Sequence, residues 1–190
     1  MEGECMESSS QQGWIVTGEF NTQDYLFLYK QEDKKFPSMF AGVVVPQEVS
    51  RRILHWLEKV DRPRDVLSSP EFRGEVLVVV KGTGEKYRVI SFEGLLSSLK
   101  GYRRRLGEEG PWIREVLGEW GRRGRRWNYS VQDLTRICVF RRHYSVLPVR
   151  ETYLLLNIPL ILDLFGISRP PYYFLLEKLG KKLREGGIEE

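Results

Sequence analysis

EVLVVVKGTGEKYRVISFEGLLSSLKGYRRRL, residues 75–106, decides the fold class. Glu75 to Lys81 is a nearly continuous β-branched run, the composition of a strand. Gly82-Thr83-Gly84 turns the chain, and Lys86 to Ile90 brings it back, so the stretch opens as an antiparallel hairpin. Ser91 then stands where a helix N-cap belongs. Phe92, Leu95, Leu96, Leu99, Tyr102 and Leu106 follow at spacings of three and four, one apolar stripe on a helix. Strand, turn, strand and amphipathic helix within some thirty residues read as an antiparallel sheet with a helix laid on it.

Reading toward the N-terminus finds the same order again. Trp14–Phe20, Tyr25–Lys30 and Met39–Val45 are short runs of strand formers, separated by the turn-rich stretches Asn21–Asp24 and Gln31–Pro37. Pro46 suits the first turn of a helix, where its missing N–H costs nothing. Val49, Ile53, Trp56, Leu57 and Val60 then recur with helical period. The order strands-then-helix therefore occurs twice, at 14–60 and 75–106, without shared residues. The fold expected is α+β: an antiparallel sheet with amphipathic helices packed on one face, plus a C-terminal helical hairpin or helix-turn-helix. The domains expected are a polar, disordered tail at 1–12, a sheet-and-helix core at 13–107, a basic segment at 108–150 and a helical subdomain at 151–190. The chain is 41% hydrophobic, enough to build a core.

Charge is concentrated in one place. Residues 99–150 hold 13 Lys and Arg against five acids, a net of +8, whereas residues 1–98 net −3 and residues 151–190 net −1. All but one of the 13 cations are arginines, whose planar guanidinium forks onto phosphate or stacks on a base. Pro111 is expected to start a short helix carrying Ile113, Val116, Leu117 and Trp120, closed by Gly121 and Gly124. The densest charge, Arg122-Arg123-Gly124-Arg125-Arg126, follows it. Ile137–Phe140 reads as a strand and Arg141-Arg142-His143-Tyr144 as an exposed turn. The candidate nucleic-acid-binding residues are Arg103, Arg104, Arg105, Arg122, Arg123, Arg125, Arg126, Arg141, Arg142 and His143 on phosphates, with Trp127, Tyr129 and Tyr144 stacking on bases.

Near the C-terminus, NIPLILDLFGISRPPYYFLLEKLGKKLR, residues 157–184, resembles a helix-turn-helix unit. Asn157 would cap the first helix with Pro159 in its first turn, Gly166 would make the tight turn, and Ser168 would cap a second helix that Pro170 and Pro171 begin. Ile161, Phe165, Ile167, Tyr172 and Leu175 supply the apolar contacts. Leu162 replaces the small residue usual in the first helix. Tyr173, Phe174 and Glu177 stand where a reader of base edges carries Arg, Asn or Gln, leaving Arg169, Lys178, Lys181 and Lys182 for phosphates. An ordinary helical hairpin accounts for the same spacing, and an exposed Phe/Tyr face suits a homodimer contact.

Catalysis has little to stand on. Two histidines, His55 and His143, and two cysteines, Cys5 and Cys138, make neither a metal site nor a nucleophile with its base, so no catalytic residue, metal or cofactor is expected. Gly82-Thr83-Gly84 lacks the ending and the helix of a phosphate-cradling loop. The longest apolar run, Tyr153–Phe165, is broken by Asn157, Pro159 and Asp163 and falls short of the ~20 residues that span a bilayer. The expectation is a non-catalytic, intracellular protein, cytoplasmic or nuclear, with no membrane partner. It would bind nucleic acid, single-stranded DNA or RNA in preference to duplex, and could form a homodimer through its C-terminal helices. The alternative is an assembly factor whose basic segment meets an acidic protein surface.

Overall fold

The computed structural model describes residues 12–58, 74–123 and 129–188, with the backbone alone at 56, 57 and 119–123. Most of the expected tail, the connection at 61–74 except Gly74, and Arg125, Arg126 and Trp127 lie outside the described residues. The strands are β1 (Ile15–Thr17), β2 (Tyr25–Glu32), β3 (Phe40–Pro46), β4 (Leu77–Lys81) and β5 (Tyr87–Ser91). The α-helices are α1 (Ser50–Leu57), α2 (Phe92–Arg123), α3 (Val131–His143), α4 (Val149–Leu155), α5 (Pro159–Phe165) and α6 (Tyr173–Glu185). The chain divides into two compact units, 1–97 and 98–190, and the division falls inside α2.

The first unit is the expected antiparallel sheet with helices on one face. Its strand order is β1-β5-β4-β3-β2, every neighbouring pair antiparallel. Register sets the two faces, because side chains paired across strands point the same way. Ala41 and Val43 pair with Val80 and Val78, and Val78 with Ile90; these side chains and Val45 are fully buried on the helix-covered face, as are Ile53 of α1 and Phe92 and Leu95 of α2. On the other face Phe40, Val44 and Val79 are covered by Phe20, Tyr25, Phe27, Leu77, Tyr87 and Val89. Gly42 permits this second layer. A Cβ there would lie 2.6 Å from the Phe27 ring and 2.9 Å from the Tyr29 carbonyl, beside the bulge that β2 makes between Phe27 and Tyr29.

Helix α2 differs from expectation in running straight through Pro111. An interior proline costs ~3 kcal/mol or more, from the lost hydrogen bond and the clash with the carbonyl four residues back. Ile113 and Leu117 beyond it are completely buried, and burying two such side chains returns roughly 1.5–3 kcal/mol each. The apolar stripe Leu99, Tyr102, Leu106, Ile113, Leu117 keeps its phase across the proline, so the tertiary contact outweighs the local break.

The second correction concerns Ile137–Phe140, which is not a strand but the middle of α3. Ser130 caps that helix by accepting from the Asp133 N–H at 3.0 Å. Leu134, Ile137, Cys138, Val139 and Phe140 are all buried, so α3 is enclosed on most of its circumference, and a helix enclosed all round loses the amphipathic period that identifies one. Arg141 to His143 accordingly form its last turn rather than an exposed loop. The core here is aromatic: Tyr102, Phe140 and Tyr144 meet Phe165 edge-on at 4.8, 4.8 and 5.9 Å, and the Tyr102 hydroxyl donates to the Phe165 carbonyl at 3.0 Å.

At the C-terminus Gly166 does take the left-handed conformation at the end of α5, φ 71°. The expected caps do not form. Ile158, not Asn157, occupies the N-cap of α5, and the Asn157 side chain donates back to the Tyr153 carbonyl at 2.8 Å. Ser168 caps nothing; its N–H and hydroxyl both donate to the buried Asp133 carboxylate. Tyr172 is the N-cap of α6, so the connection spans 166–172, longer than the ~3–4-residue turn of a helix-turn-helix.

Candidate functional site

Each residue of an α-helix turns the chain by about 100°, so residues three, four and fourteen apart share a face. Lys100, Arg103, Arg104 and Arg114 therefore lie within one arc of α2, about 100° wide, that runs alongside its buried stripe. All four are exposed, and none is ion-paired among the described residues. The burial of Leu99, Tyr102, Ile113 and Leu117 fixes the helix against rotation, and that orientation turns the cations outward. Glu108 and Glu115, also exposed, border the arc. Trp112, with 46% of its surface exposed, projects about 80° beyond the edge of the arc, past those two carboxylates. The helix backbone continues to Arg122 and Arg123.

Other arginines of the basic segment are used internally. The half-buried Glu109 carboxylate accepts from Arg142 at 2.6 Å and lies 3.4 Å from Arg105, which also donates to the Arg142 carbonyl at 3.3 Å. Arg141 donates to the Leu176 carbonyl at 2.9 Å and Arg136 to the Gly166 carbonyl at 2.6 Å, tying α3 to α6 and to the end of α5. Such guanidiniums hold the second unit together, and contacting a phosphate would require breaking those bonds. Of the arginines named from sequence, Arg103 and Arg104 share the open face; Arg105, Arg141 and Arg142 do not.

His143 and Tyr144 are corrections of the same kind. His143 is 3% exposed, against Gly101, where an added Cβ would come within 3.0 Å of its ring. Burial pushes its pKa down to about 4; Arg105 and Arg104 add to the shift, and the Ser98 backbone and Glu109 oppose it. Both ring nitrogens are buried without a hydrogen-bond partner, so Ser98 is felt electrostatically rather than as a bond. A neutral, enclosed imidazole is no phosphate ligand. Tyr144 is completely buried, its hydroxyl hydrogen-bonded with that of Ser98 and its ionisation pushed far up by burial, so it offers no ring face to a base. Both residues look exposed in the sequence because the Arg141-Arg142 pair precedes them; the helix turns those two neighbours to one side and these two inward.

Tyr129 remains partly exposed. Its hydroxyl donates to the Pro170 carbonyl at 2.7 Å, the Arg169 guanidinium lies 4.9 Å above its ring, and Tyr172 stands 6.3 Å away. Lys100 and Arg114 were missed as site residues. Counting three, four and fourteen onward from Lys100 joins both to Arg103 and Arg104 once Pro111 is not taken as a break. Among the described residues no group of His, Cys, Asp and Glu could hold a metal ion, and no helix is long and apolar enough to cross a membrane. No protein-family model matches the chain, and neither a curated protein nor a solved structure shows a significant match to it.

Proposed function

We propose that this chain is a non-catalytic nucleic-acid-binding protein, with single-stranded DNA or RNA preferred over duplex, that holds phosphates along the outer face of α2. The observation that carries the reading is the row Lys100, Arg103, Arg104 and Arg114: four exposed cations without carboxylate partners among the described residues, on a helix anchored in a core by its apolar stripe. At 1.5 Å per residue the row extends about 21 Å, long enough to meet several phosphates in succession. Three of the four are arginines, which bind phosphate by paired N–H donors.

Preference for single strands rests on Tyr129, partly exposed beside the Arg169 guanidinium, since ring faces hold unpaired bases and cannot reach paired ones. The test is titration of the full chain with single-stranded DNA, RNA and duplex DNA of equal length at 50 and 200 mM salt. Affinity for single strands should exceed that for duplex and fall by some 50-fold between the two salts, as four released counterions at about 0.7 each require. Absence of binding to all three would leave the basic face for an acidic protein surface.

A further inference from the structure

Three consecutive aromatics, Tyr172, Tyr173 and Phe174, lie where the chain turns into α6, and cations from three places gather over the rings there. The Arg169 guanidinium sits over Tyr129, which is itself 6.3 Å from Tyr172. Arg150 covers Tyr173 at 4.2 Å, and Lys178 Nζ lies 4.8 Å from the centre of the Phe174 ring. A cluster that served packing alone would be covered. Tyr172 and Phe174 instead keep 40% and 58% of their surface in solvent, although each is large and apolar enough to bury. Tyr129 is held in place by its bond to the Pro170 carbonyl, so the rings are arranged before any ligand arrives.

We propose that this turn is the base-holding site of the protein: unpaired bases stack on Tyr172 and Phe174, and Arg169 and Lys178 meet the phosphates on either side. Lys181, exposed on α6 and seven residues beyond Phe174, continues the cationic line along the same helix face. The occupant is a single strand rather than an apolar peptide because cations rim the exposed rings, and a flat ring beside a guanidinium or ammonium matches a base beside its phosphate. The proposal rests on the nucleic-acid reading above and adds to it the residues that recognise bases, whereas the α2 face recognises charge alone.

The experiment compares the full-length wild type with Tyr172→Ala/Phe174→Ala, using an oligothymidylate and an inorganic polyphosphate chain of matching charge as ligands. The double variant should bind oligothymidylate about tenfold more weakly and polyphosphate as well as the wild type does, with an unchanged salt slope. Phe174→Leu, which keeps the apolar bulk and removes the ring, should weaken oligothymidylate binding in the same sense and guards against a folding defect. Equal affinity of variant and wild type for oligothymidylate overturns the proposal while leaving the α2 reading intact, and so does an equal loss for both ligands. A change from dimer to monomer with oligothymidylate affinity unchanged would assign the rings to a self-contact and overturn it as well. Failure of the wild type to bind either ligand removes the nucleic-acid reading itself.

Discussion

Replacing Arg103 and Arg104 by Ala takes two cations from the exposed row on α2 and leaves the buried stripe of that helix untouched. Both side chains are exposed and neither is ion-paired among the described residues, so stability should change by no more than about 0.5 kcal/mol. The effect on binding follows from counterion release. A single strand contributes about 0.7 to the slope of log K against log salt per neutralised phosphate, so the double variant should lower that slope by about 1.4. If the two proteins bind alike near 1 M salt, the variant is weaker by about 15-fold at 150 mM and about 65-fold at 50 mM. The penalty should therefore shrink as salt is added. Fluorescence anisotropy with a labelled single strand at four or five salt concentrations measures both slopes directly. A penalty that stays constant across the series, or a slope that does not move, would refute the assignment of these residues to phosphate contacts.

Three further outcomes follow from the internal contacts. Glu109→Gln withdraws the carboxylate shared by Arg105 and Arg142 and should cost about 1–3 kcal/mol in chemical denaturation while leaving nucleic-acid affinity nearly unchanged. His143 has a folded-state pKa lowered to about 4 from 6.5, so the unfolded chain binds the proton first; its contribution to stability is intact above pH 6.5 and is lost as the pH falls toward 4. His143→Leu should abolish that part of the acid sensitivity, about 2 kcal/mol between pH 7 and pH 5, measured as the difference between the two stability profiles. Pro111→Ala restores a missing hydrogen bond at an exposed position of α2 and should raise stability by about 1–3 kcal/mol, seen as a higher melting temperature.

What local chemistry governs was legible in the residues alone. Alternation, turn formers and the glycine pair around Thr83 identify β1 to β5, and spacings of three and four identify α1 and the start of α2, because these signals depend only on near neighbours. The +8 of residues 99–150 is likewise a property of the chain. Tertiary structure decided the rest. Pro111 reads as a helix start, but the burial of Ile113 and Leu117 carries α2 past it and so adds Arg114 to the open face. Ile137–Phe140 reads as a strand because α3 is enclosed on most sides. The arginines look alike in the sequence, yet Glu109 and the Leu176 and Gly166 carbonyls engage four of them and leave Arg103 and Arg104 outside. Charge is inherited from composition, whereas the direction in which a guanidinium points depends on which side of its helix the core has claimed.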